Sequence, residues 1–243
     1  MRVLSAAVAA LLVASSAAAS TPPAETLARL DLALQLLESD DFTGSYTVTT
    51  RSLVAKPGGK DPEAVEVVMV IRHRPGSPDE GRLVRATRNG EDTTEEMRAN
   101  FEREHAKGRE EPGGDDDGAS VGLALPGAET LGRYRFVPSP ASGGAVVAAF
   151  SPDNDKADDA VSGSLAWDAA SLDPLWVEVE PLSMPRHVKR LSTRVELGRD
   201  GDRLWPRRTV MEGLGGFLLI KREFRVEVEV TDVTFDHPTA AEP

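Results

Sequence analysis

The chain has 243 residues, no cysteine, 28 Lys plus Arg against 40 Asp plus Glu, and a formal net charge of −12. That length suits one domain or at most two. The missing thiols exclude a disulfide framework, thiolate metal sites and cysteine nucleophiles, and the acidic balance disfavours nonspecific nucleic-acid binding.

Met1 and Arg2 precede an apolar run and a stretch of small residues that ends in Ala17-Ala18-Ala19. A charged start, an apolar stretch and an A-x-A site predict a signal peptide over 1–19, cleaved after Ala19, and export to the periplasm or beyond. The apolar run falls short of the ~20 residues that a membrane span needs, so no transmembrane anchor is expected after cleavage. The mature chain, 20–243, is expected to be a single domain and a monomer.

Thr21, two prolines and Glu25 form a helix start, and Leu27, Leu30, Leu34 and Leu37 follow at spacings of three and four. This broad apolar face serves either as core packing against a sheet or as a lid over a cavity. Residues 45–51 then read as a β-branched strand, ended by a Pro- and Gly-rich cluster at 56–62. Strands over 64–72 and 82–87 follow, the latter closed by Asn89-Gly90, which makes an antiparallel meander.

Later strands are predicted over 133–137, 145–150, 162–167, 175–180, 187–197, 203–211 and 217–230. In the last, Leu218, Ile220, Phe224, Val226, Val228 and Val230 fall on one face and Lys221, Glu223, Arg225, Glu227 and Glu229 on the other, with Arg222 the one charge on the apolar side. A strand of that length would reach roughly 45 Å and must bend in a compact domain. The expected class is therefore mainly β (α+β): a curved antiparallel sheet or half-open β-barrel with an N-terminal amphipathic helix.

Between 91 and 120 lies a charged insertion, a thin helix over 93–107 and then a polar, Gly-rich linker or flap, which is a candidate lid. Residues 91–118 carry 11 acids and 4 bases, whereas 186–225 carry 11 bases and 5 acids. This polarity suits either a solvated loop opposite a basic sheet or an acidic flap resting on it.

Catalytic chemistry is hard to assemble. His73, His105, His187 and His237 are isolated, with no His pair at metal spacing, and no G-x-S-x-G elbow, phosphate loop or dinucleotide fingerprint occurs. Residues 153–164 fail as a calcium loop, with Asp158 where Gly is wanted and Ser164 where a bidentate Glu is wanted. No enzyme activity, metal or cofactor is expected.

The leading helix, residues 38–51, Val70 to Gly76 with its basic end and Pro75, Asn89-Gly90, the Asp173-Pro174 hairpin and the Gly-rich final strands resemble the outer-membrane lipoprotein carrier superfamily, LolA and LolB, and are also similar to the N-terminal domain of RseB. The resemblance implies a half-open barrel whose concave face holds a lipid or a lipoprotein acyl chain without catalysis. An envelope protein partner bound through the sheet is the alternative. From the apolar faces themselves, the expected cavity lining is Leu30, Leu34, Leu37, Val67, Met69, Leu175, Val177, Val179, Leu218, Ile220, Phe224 and Val226. Trp167, Trp176 and Trp205 are candidates for the cavity mouth.

Overall fold

A computed structural model describes residues 21–36, 42–56, 62–77, 79–108, 131–139, 144–153, 160–184, 187–217 and 220–235. The first twenty residues, residues 109–130, on which the predicted linker or flap of 109–120 falls, and residues 154–159 lie outside them.

The order of elements is helix α1 (Ala24–Gln35), then β1 (Gly44–Ala55), β2 (Glu63–His73), β3 (Glu80–Arg88) and the short β4 (Glu91–Asp92). Helix α2 (Thr94–Gly108) follows, then β5 (Tyr134–Ser139), β6 (Ala145–Pro152), β7 (Val161–Asp168), β8 (Pro174–Pro181), β9 (Val188–Asp200), β10 (Arg203–Phe217) and β11 (Ile220–Phe235). The described strands form one antiparallel sheet in the order β4-β3-β2-β1-β11-β10-β9-β8-β7-β6-β5. It is mainly β and not closed, in keeping with a curved sheet or half-open barrel. The first and last strands pair at its centre, from Gly44 opposite Phe235 to Ala55 opposite Glu223.

Local chemistry accounts for the turns. Asn89 and Gly90 take left-handed φ values of 51° and 84°, which a two-residue hairpin demands, and the Asn89 side chain accepts a bond from the Ala64 amide at 2.9 Å. The strand expected over 217–230 is divided differently: Phe217 ends β10 opposite Ile220, which begins β11. Residues 217–220 are all apolar, with no turn-forming residue among them, so the local pattern alone could not place the turn there.

Register sorts the side chains into two faces, because directly opposed residues point the same way. On one face, Val65, Ser52, Val226, Met211, Thr193, Val179, Gly163, Phe150 and Phe136 stand opposite one another in a single row across β2, β1, β11, β10, β9, β8, β7, β6 and β5. Leu27 and Leu30 of α1 bury themselves on the β5-to-β8 part of this face, against Phe136, Phe150, Leu165, Trp167, Val177 and Val179. A second cluster holds Phe42, Tyr46 and Val230 with Ile71, Trp205 and Phe235 around them.

The other face is ionic. Arg51 reaches Glu66 at 2.9 Å and Glu229 at 3.1 Å, Arg208 reaches Glu227 at 3.1 Å, and Arg194 reaches Glu178 at 3.2 Å and Glu196 at 3.3 Å. Arg85 extends the chain of pairs to Glu66, and Arg225 ties Glu212 to Glu227. Arg194, Arg207, Arg208 and Arg225 of β9 to β11 are thus matched by carboxylates on neighbouring strands. Cross-strand pairing is invisible to a count along the chain.

Candidate functional site

The candidate site is the stretch of the apolar face between the two helices. α1 rests on β8 and β10, and α2 rests on β3, where Ala86 is fully buried in register with Val67. Between these supports the face crosses β2, β1, β11 and β10. There Val65, Val67, Met69, Phe224, Val226, Val228 and Met211 are all only half-buried. Under α1 the same face is closed, with Leu165, Val177 and Val179 each at most 2% exposed. One continuous apolar surface therefore has a filled half and an uncovered half.

The helix that divides them is held by charge as well as by apolar contact. The Asp173 carboxylate, 8% exposed, receives Arg29 of α1 on one oxygen and Arg199 of β9 on the other. Arg29 also binds Glu25 at 2.6 Å, and Thr26 donates to the Leu172 carbonyl at 2.8 Å. The bonds that Arg29 donates to Asp173 and then to Glu25 raise its pKa above the ordinary value. The turn that presents Asp173 is built by Asp168, whose carboxylate accepts the Ser171 and Ala170 amides at 2.8 and 2.9 Å and is held below the usual carboxylate range by them. A cleft of about 320 Å³ lies beside this clamp, lined by Leu32, Leu36, Leu204 and the charged residues themselves.

The side chains expected to line a cavity fall into distinct places. Leu30, Val177 and Val179 are in the filled core, with Leu34 packed partly buried against it. Val67, Met69, Phe224 and Val226 are on the uncovered half. Leu175 is 39% exposed, because a register shift beside it sets Pro174 rather than Leu175 opposite Trp167. Leu37 and Leu218 lie outside the described residues, and Ile220 is described by its backbone alone.

The tryptophans also separate. Trp167 is buried beneath α1, Trp205 packs edge-on to Phe235, and Trp176 lies on the ionic face with the Arg194 guanidinium 4.0 Å above its ring. The sequence reading did not single out the hydroxyls of the apolar face, Thr50, Ser52, Thr193 and Thr209. Alternation places them inward, and only their polarity hid them among valines.

No metal-binding geometry occurs among the described residues, where no three His, Asp or Glu side chains converge. His73 is buried, stacked on Phe42 with ring centroids 5.2 Å apart, and its Nδ1 lies 2.6 Å from Asp79. No described helix is long and apolar enough to cross a membrane.

No family model matches the chain, and no curated protein matches it. Among solved structures it is similar to a domain from Vibrio parahaemolyticus described as an outer membrane lipoprotein-sorting protein, with 13% identity over 90% of this chain and 95% of that one and a TM-score of 0.31. It is similar also to MucB solved in complex with MucA(peri), with 11% identity over 86% of this chain and 93% of that one and a TM-score of 0.23. A third similar structure is the MucA/MucB complex of Pseudomonas aeruginosa, at 10% identity over 86% of this chain and 94% of that one, with a TM-score of 0.24.

Proposed function

We propose that the protein is an exported, non-catalytic binder of a lipid-like ligand, such as a lipid or lipoprotein acyl chain, which lies on the apolar face between α1 and α2. One observation carries this reading: Val67, Met69, Val226 and Val228 continue the surface that is closed under α1, yet are themselves half-exposed. A contiguous exposed apolar patch is costly in water and marks a surface that a ligand, membrane or partner covers. The ionic face is a poorer surface for such a ligand, being lined by charged pairs such as Arg51 with Glu66, Arg194 with Glu178 and Arg208 with Glu227. Residues 1–19 would direct export, and 20–243 would form the single carrier domain.

Uptake of a fluorescent fatty acid by the purified mature chain tests the proposal. Val226→Glu places a charge in the middle of the uncovered half and should abolish uptake with a small change in melting temperature, because the side chain is not in the filled core. Unchanged uptake by Val226→Glu would overturn this placement of the ligand. A protein partner with an apolar segment would use the same face, and would be recognised by saturable binding that the same substitution removes while no lipid is taken up.

A further inference from the structure

We propose that the ligand carries a hydrogen-bond acceptor close to its hydrocarbon, an ester or amide carbonyl, and that Thr193 is the residue that selects it. This inference rests on the apolar-ligand reading and adds to it the residue that would recognise the carbonyl of an acyl ligand.

Thr193 sits in β9 on the apolar face, 6% exposed, and its Oγ1 is buried without a hydrogen-bond partner. A buried hydroxyl that has surrendered water and gained nothing is costly, and such groups are uncommon in folded proteins. A purely structural residue here would be served better by valine, which has the same shape and no such cost. The position of Thr193 is equally specific. Its cross-strand partner on one side is Val179, 2% exposed in the core under α1, and on the other side is Met211, half-buried on the uncovered half. Thr193 therefore marks the border at which an occupant of the open half meets the closed one.

The hydroxyl is not isolated in the pattern of the sheet. Ser52 lies in the same cross-strand row, and Thr50 and Thr209 lie together in the next, separated by Val228. A track of hydroxyls among valines and methionine is a poor surface for a bare hydrocarbon and a suitable one for acyl chains whose carbonyl must be satisfied once water is excluded. Met211, unbranched and flexible, is the side chain best able to yield as the carbonyl approaches Thr193. Thr193 donates and the carbonyl oxygen accepts.

The experiment compares ester-linked dipalmitoyl phosphatidylglycerol with its ether-linked dihexadecyl analogue, which has the same headgroup and chain length but no carbonyl. Binding of each to the mature chain is measured by native mass spectrometry and by competition with a fluorescent fatty acid. The wild type should prefer the ester about fivefold, the worth of one neutral hydrogen bond. Thr193→Val should remove that preference while keeping the ether affinity and a melting temperature no lower than that of the wild type, and Thr193→Ser should restore the preference. No preference in the wild type, or the same preference in Thr193→Val, would overturn the role of Thr193 and leave the apolar-ligand reading standing. Failure of both lipids to bind a folded wild type would overturn the two together.

Discussion

Single atoms decide how close the strands and rings of this sheet can come. A Cβ on Gly163 would lie 1.9 Å from the Glu178 carbonyl oxygen and 2.9 Å from the Phe150 ring, so this glycine keeps β7 against β8 and gives Phe150 its place in the core. Gly163→Ala should therefore cost at least about 1–3 kcal/mol, the usual penalty of overpacking, read as a lower urea midpoint. An unchanged midpoint would contradict the packing described here. Gly213 has the same role on the open half, where an added Cβ would meet the Phe224 ring at 2.3 Å. Neither requirement could be read from the sequence, because a glycine in a strand signals a close approach without saying which ring or carbonyl approaches it.

At the scale of elements, alternation and spacing were informative wherever one side of a segment meets water. The leucine spacing of α1 identified Leu27 and Leu30 as an apolar stripe, and both are fully buried. The period of two in the last strand placed Phe224, Val226, Val228 and Val230 together, and their pairing with Val54, Ser52, Thr50 and Val48 keeps them on one face. What was not legible is the long-range order: β1 pairs with β11 across nearly the whole chain, and α1 is tied to Asp173 in a distant hairpin. Such partners depend on tertiary register rather than on local pattern. Of the alternatives for α1, core or lid, Leu27 and Leu30 follow the first, both 0% exposed, while Leu32 on the opposite side of the helix is 70% exposed. Leu30→Ala should destabilise the protein by about 2–5 kcal/mol, as loss of a buried leucine does. Asp173→Asn should lower the melting temperature by loosening Arg29 and Arg199 from their shared carboxylate, and fatty-acid uptake should change less than it does in Val226→Glu. A melting temperature unchanged in either core variant would show that α1 is not part of the cooperative fold.

Across the whole molecule, the two faces of the sheet do different work. The ionic face makes stability depend on pH. Hydrogen bonds from Arg85 and then Arg51 hold Glu66 below its ordinary pKa, and Arg208 does the same for Glu227. A carboxyl with a depressed folded pKa binds fewer protons folded than unfolded, so its contribution is complete above the unfolded value of about 4.3 and is lost as pH falls through the folded one. The melting temperature should accordingly drop between pH 6 and pH 3, and Glu66→Gln with Glu227→Gln should flatten that drop; an equally steep drop in the double variant would contradict the assignment. On the apolar face the charges stand at the margin of the uncovered half, where Glu63 opposes Val54 and Arg88 opposes Val65, and not among Val67, Val226 and Val228, so ligand retention there should respond weakly to salt.

The most direct test of the central claim is native mass spectrometry of the mature chain recovered from a bacterial periplasm, before and after mild organic extraction. The expected result is a stoichiometric adduct of acyl-lipid mass that extraction removes and that added phospholipid restores. A clean protein mass that takes up no added lipid would contradict it, and would mean that the face between α1 and α2 is covered by something other than a lipid.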